Sequence, residues 1–136
     1  MKYKSYIFVD TGAWYAMFDS YDSNHEYATQ FVRSSQYRMV TSNYVVAETI
    51  NLAVNRSTHS IAVEIGENLY DESVVILIRV TENDEKNAFE LFKKYKDKGF
   101  SFTDCTSFVL MERLGLINAF AFDKHFKQYG MFTVYP

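Results

Sequence analysis

Three carboxylates in this sequence stand where an apolar segment gives way to something else, and a fourth lies within one. Asp10 closes the run SYIFV, Asp123 closes NAFAF, and Asp104 follows the extended-looking GFSFT at the start of a helical pattern. Glu48 lies inside Tyr44–Val54, a helical stretch of mostly apolar residues. Asn51 and Asn55, three and seven positions later, share its face. Taken singly, each acid has a structural role open to it. Asp10 and Asp123 can cap helices, Asp104 can complement a helix dipole from the first turn, and Glu48 can sit on the surface or in an ion pair. Taken together they have a chemical role. Carboxylates crowded into one place repel, and without a cation some take up protons. Mg²⁺ or Mn²⁺ removes that penalty, because these hard cations take oxygen ligands and keep several waters. A metal-bound water is made nucleophilic, and charge building on a phosphate is neutralised. Such a site hydrolyses a phosphodiester with no His, Cys or Ser nucleophile.

The other chemistry-bearing residues form weaker patterns. His125 lies two residues after Asp123; it reads as a surface or packing histidine, with phosphate contact or proton transfer as the alternative. His25 and His59 have no metal-ligand spacing. Cys105 reads as a small buried hydrophobe, since no activating base is patterned near it. Arg56, Lys124 and Lys127 are candidate phosphate contacts, with plain solvation as the alternative. Neither a GxGxxG nor a Walker phosphate loop is present.

The elements that must bring the acids together alternate in type. Strands are expected at Ser5–Val9, Arg38–Thr41, Val74–Val80, Asn118–Phe122 and Met131–Tyr135. Helices are expected at Gly12–Phe18, Ser23–Ser34, Asn43–Asn55, Thr58–Leu69, Asn83–Lys96 and Thr103–Leu114, with a short turn over Asp123–Lys127. Ser23 and Glu26 have the spacing of a capping box, and Gly115 stands where a helix C-cap glycine belongs. The run VVILIRV is the clearest strand and suits the middle of a parallel sheet. This alternation predicts an α/β fold with a mainly parallel sheet covered by helices on both faces. Ligands in such sheets sit at the carboxyl ends of the strands, which is where the aspartates fall.

Bulk properties set the bounds. The 136 residues suit a single domain spanning 1–136, with no linker or repeat and one proline at the last position. One cysteine cannot form an internal disulfide, so a reducing, cytoplasmic setting is expected. The N-terminal apolar run is too short for a signal peptide, and no stretch is long enough to span a membrane. A formal charge of −3 is not a basic nucleic-acid footprint, but setting four site carboxylates aside leaves +1. Lysines gather at Lys93, Lys94, Lys96 and Lys98. The 11 Tyr and 12 Phe exceed ordinary needs and suit core packing, a partner surface or base stacking.

The stretch FTDCTSFVLMERLGLINAFAFDKHF, Phe102–Phe126, resembles the C-terminal signature of PIN-domain ribonucleases, above all the bacterial VapC-like toxins of type II toxin–antitoxin systems. IFVDTGAWYAMF resembles the opening strand and helix of that family, and TSNYVVAETINL places Glu48 between them. The resemblance covers nearly the whole chain. It implies a three-layer fold with sheet order 3-2-1-4-5 and an endoribonuclease using Mg²⁺ or Mn²⁺. It implies Asp10, Glu48, Asp104 and Asp123 as metal-binding catalytic acids, with Thr11 and Ser107 supporting them. Cleavage would leave 5′-phosphate and 3′-hydroxyl ends. It further implies a homodimer and an antitoxin partner whose segment lies in an apolar groove, which Trp14, Tyr15, Phe18 and Tyr44 could line, with core filling as their alternative role. Phe89, Phe92 and Tyr95 are further aromatics for a patch or interface. The alternatives within the family are a solitary RNA-processing nuclease and a non-catalytic module binding protein or RNA. Rival α/β readings fit less well: a receiver domain wants an aspartate where Val74–Val80 ends at Thr81, and a haloacid-dehalogenase-like phosphatase wants one at Gly12.

Overall fold

The structure is a computed structural model that describes residues 5–136. Five strands, β1 (Tyr6–Val9), β2 (Arg38–Ser42), β3 (Ile76–Ile78), β4 (Asn118–Phe120) and β5 (Thr133–Tyr135), form one sheet in the order β3-β2-β1-β4-β5. Every pairing is parallel. The helices are α1 (Thr11–Phe18), α2 (His25–Ser34), α3 (Asn43–Arg56), α4 (His59–Leu69), α5 (Glu82–Lys94), α6 (Phe102–Leu114) and α7 (His125–Tyr129). The chain leaves β1 for β2 on one side and returns to β4 on the other. The strand order therefore reverses at the β1–β4 pair, the place where open α/β sheets leave a crevice. Val9 is in register with Phe120, and the amide of Asp10 donates to the Phe120 carbonyl at 3.0 Å. Two of the expected acid-bearing strand ends are thus neighbours.

The core follows from the strand pattern. Ile7, Phe8 and Val9 on β1 are fully covered, as are Ala119 and Phe120 on β4. Rings from α6 and α7 pack behind them: Phe108 stacks on Tyr129 at 4.3 Å, and Phe126 meets Phe108 edge-on at 5.0 Å. Most of the surplus of Phe is spent here, in packing that holds the two site-bearing strands and α6 in one block.

Four expectations need correction. VVILIRV is not central; β3 is a three-residue edge strand that pairs only with β2, and Ile76–Ile78 are half-buried. Its hydrophobicity serves one anchoring residue, buried Val75, and a strand partly covered by side chains around it such as Leu69, Tyr6 and Leu114. The Ser23–Glu26 capping box does not form, because α2 starts at His25 with no side-chain cap. Asp19 and Asp22 instead accept the amides of Tyr21 and Asn24, and these turns delay the helix. The fourth expected strand, Asn118–Phe122, ends early at Phe120, although the Ala121 amide still reaches the Tyr135 carbonyl at 2.9 Å. Finally, Trp14 and Tyr15 line no groove. They are 1% and 2% exposed, because α1 is packed against both α2 and α3. The Trp14 indole donates to Thr41 Oγ1 at 3.1 Å, which fixes α1 over the ends of β1 and β2.

Two helices begin with the same device. Thr81 and Asp84 form a capping box on α5, and Ser101 and Asp104 form one on α6. Buried Asp84 also accepts two 2.8 Å bonds from the Arg113 guanidinium, which ties α5 to α6. Burial alone would raise the Asp84 carboxyl; the bonds from Arg113 and Thr81 outweigh it and hold the group below its ordinary range. Its contribution to stability is present above the ordinary carboxylate range and is lost as pH falls through the lowered value. Arg113→Ala strands this buried charge. With the guanidinium partly in solvent, the expected loss is about 2 kcal/mol, read as a lowered urea midpoint at neutral pH. The difference from wild type should shrink in acid.

Candidate active site

The acidic side chains are delivered by four elements to one end of the sheet. Asp10 follows β1 and occupies the N-cap position of α1, yet its side chain makes no capping bond. The structural role open to it from sequence is therefore not the one it plays. Its Oδ1 is buried and has no hydrogen-bond partner. Burial raises the Asp10 carboxyl well above its ordinary range, and the charges of Asp123 and Asp104, and less strongly Glu48, raise it further; the Thr11 backbone pulls the other way. The charges of the other three predicted acids therefore all reach Asp10.

Each of the others has a distinct setting. Asp104, at the third position of α6, accepts the Ser101 amide at 3.0 Å and so does cap its helix. The same oxygen accepts Nδ1 of His125 at 2.7 Å. Burial, then the Asp123 charge, raises this carboxyl, against the lowering effect of Ser101 and His125. Asp123 is at the rim, with its side chain 47% exposed, and accepts the His125 amide at 2.9 Å. Glu48 sits on α3 and receives the Thr11 hydroxyl at 2.6 Å. Ser107, one turn beyond Asp104 on α6, is buried, and its Oγ has no partner. Thr11 thus contacts Glu48, and Ser107 follows Asp104 by one turn of α6.

Ligand atoms of Asp104, Asp123 and His125 lie within 4.8 Å of one another, a spacing that one cation can bridge. Asp10 and Glu48 stand outside that tight group but couple to it through charge. His125 is the residue that sequence reasoning set aside. Its partner lies 21 positions upstream, so no local spacing reveals it. With Asp104 ionised, Nδ1 must carry the proton, since a carboxylate only accepts. Arg56, Lys124 and Lys127 are all exposed. Cys105 is fully buried and its thiol is pushed up to about 11, so it is no nucleophile at neutral pH.

These residues fit a hard divalent cation. The donors are carboxylate and hydroxyl oxygens, and two buried oxygens, Asp10 Oδ1 and Ser107 Oγ, lack a protein partner. In the metal-free protein the raised carboxyls bind protons more tightly folded than unfolded. Their contribution favours folding below the ordinary Asp range and is lost as pH rises through the raised values. Asp10→Asn removes the most crowded charge. In chelator it is expected to melt above wild type at pH 8, by roughly 3 °C for each ~1 kcal/mol relieved, and to converge with it near pH 4. Added Mg²⁺ should raise the wild-type midpoint and leave the variant's nearly unchanged, as scanning fluorimetry would read.

Comparison with known proteins bears on what this geometry belongs to. Residues 7–131 match the family model described as PIN domain. Over 130 residues, 96% of this chain and 98% of the relative, the sequence is 35% identical to the 23S rRNA-specific endonuclease VapC20 of Mycobacterium tuberculosis. The crystal structure of that protein, described as a sarcin–ricin loop cleaving toxin, superposes with a TM-score of 0.89 over 96% of this chain and 99% of the other. A toxin–antitoxin complex from Klebsiella pneumoniae shares the fold, with a TM-score of 0.66 at 14% identity and 96% of each chain covered. With the family match spanning most of its length and the 35% identical relative covering nearly all of both chains, the chain belongs to the PIN domain family.

Proposed function

We propose that this chain is a Mg²⁺- or Mn²⁺-dependent endoribonuclease and the toxin of a toxin–antitoxin pair. The observation that carries the reading is the buried, unpartnered Asp10 Oδ1 beside three further acids at the β1–β4 crevice. Neutralising that many carboxylates from outside the chain is the job of a cation. The relative's name supplies the substrate class: a 35% identical protein named for cleaving 23S rRNA makes ribosomal RNA the first substrate to test.

In this reading Asp10, Glu48, Asp104 and Asp123 hold the ion, which when bound supplies an activated water and offsets charge on the scissile phosphate. The chain's own residues then orient and shield. Thr11 fixes the Glu48 carboxylate from one side. The Ser101 amide and His125 both bind one oxygen of Asp104, leaving its other oxygen without a protein hydrogen bond. Ser107 presents a buried hydroxyl with no competing partner. Lys124, next to Asp123 in the chain, and Lys127 and Arg56 are exposed, and in this reading they are candidate contacts to RNA phosphates. An antitoxin and a homodimer belong to the same reading. They are tested by co-purification with the product of a neighbouring gene and by sedimentation at high concentration.

Asp10→Asn and Asp104→Asn are expected to lower RNA cleavage by at least roughly 10²–10³-fold, the scale on which preorganised charge acts in catalysis. Excess chelator should do the same to the wild type; full cleavage in chelator would refute the mechanism. For His125, the Asn variant can return an N–H to Asp104, whereas Ala cannot. His125→Ala is expected to weaken Mn²⁺ binding roughly 10–100-fold by calorimetry, and His125→Asn to recover most of it.

A further inference from the structure

Beside the acids lies a recess that the chemistry above does not use. It has a volume of about 460 Å³ and is lined by Asn43, Tyr44, Ala47, Glu48, Asn51 and Thr103. One end is therefore Glu48 itself, and Thr103 immediately precedes Asp104. Its walls are braced. Asn43 Oδ1 accepts the Val80 amide at 2.8 Å, and the Tyr44 hydroxyl donates to Glu85 on α5. Two polar groups in it are not used by the fold: the Asn51 amide and the Thr103 hydroxyl have no hydrogen bond among the described residues. Asn51 is one turn after Glu48 on α3 and is exposed.

A row of rings leads out of the recess. Tyr44 meets Phe102 at 6.0 Å, Phe102 meets Phe92 at 6.3 Å, and Phe92 lies nearly parallel to Phe89 at 6.5 Å, with an interplanar angle of 18°. Phe89 and Phe92 are 51% and 42% exposed, and the Lys93 ammonium stands 5.3 Å from the Phe89 ring centre. These are the phenylalanines that the core does not absorb.

We infer that the recess binds the nucleoside adjoining the scissile phosphate and that the Phe102–Phe92–Phe89 row carries the next bases of a single-stranded RNA. This rests on the nuclease reading. With an ion held at the acids, the phosphate belongs over that ion, and the recess beyond Glu48, which has no cationic side chain in its lining, suits the uncharged base and ribose. An amide that both donates and accepts suits a base edge, and a hydroxyl suits the ribose 2′-OH. The same free polar groups would be stranded under an apolar peptide. Outside, exposed rings interleaved with lysine suit stacking bases and the phosphates between them, a sequence-tolerant mode of holding single strands. Asn51 is then a specificity-determining residue, and Phe92 and Phe89 form a stacking platform.

Two measurements test this on the intact chain. The first is binding of a short fluorescein-labelled single-stranded RNA by anisotropy in chelator. The second is Mg²⁺-dependent cleavage of a random-sequence RNA pool, with the cut sites sequenced. Asn51→Ala is expected to raise KM roughly 10-fold with a smaller change in kcat, and to relax base preference at one position beside the cut. Asn51→Asp, which adds charge to the recess, should weaken binding further. Phe92→Ala should weaken binding roughly 5–100-fold. The Mg²⁺-induced thermal shift should match wild type in all three, showing that fold and ion site are intact. Unchanged KM, binding and cut-site preference in these variants would overturn the inference while leaving the nuclease intact. So would variants that lose a protein partner but still bind and cut RNA as wild type does. If the wild type binds RNA through these residues but cuts none, the nuclease reading fails and the recess stands. If the wild type neither binds RNA nor cuts it with Mg²⁺ present, both fall.

Discussion

Everything at the functional end of this fold answers to one constraint, the mutual repulsion of carboxylates held in a place from which water is largely excluded. Asp10 bears it most. It is buried, it feels three other acids, and it has no basic side chain as a partner. A fold can hold such a group only if the surrounding structure is stiff enough not to relax away from it. The rigidity comes from the β1–β4 pairing, from the aromatic block of Phe8, Phe108, Phe126 and Tyr129 behind it, and from the Trp14–Thr41 bond above it. The hydrophobic core here acts as a clamp on like charges as well as a source of stability.

The remaining acids are handled with backbone amides, a hydroxyl and one histidine, and with no lysine or arginine among the described residues. Asp104 has the first turn of a helix and a histidine, Glu48 has a hydroxyl, and Asp123 has solvent and one amide. Each arrangement orients a carboxylate without cancelling its charge. That distinguishes the acidic end from the Asp84–Arg113 pair, where the neutralising group is encoded in the chain.

Much of this was legible in the sequence, for identifiable reasons. An apolar run that ends in aspartate is a local signal: Asp10 does follow β1 directly, whereas Asp123 comes three residues after β4, which stops at Phe120. Asp104 was legible by its position at a helix start, and the parallel sheet followed from the alternation of elements. What depends on contacts between distant positions was not legible. The bond between His125 and Asp104 spans 21 residues and that between Thr11 and Glu48 spans 37. Composition also misled where it could not see neighbours. VVILIRV looks central because it is apolar, yet it lies on an edge that other side chains half cover. Trp14 and Tyr15 look available because they follow Asp10 closely, yet α2 and α3 enclose them. The run after α1 looks like a helix start at Ser23, but two aspartate-centred turns take its amides first.

The two capping boxes, Thr81–Asp84 and Ser101–Asp104, are one local motif put to two uses. At α5 the buried aspartate is answered by Arg113; at α6 it faces other acids across the crevice. A single arginine thus separates a girder from a reactive centre. Evolution could silence such a domain without loosening it, by supplying a guanidinium within reach of Asp104. Such a change would leave every strand, cap and core contact in place and would alter only whether the acidic end is balanced from within the chain.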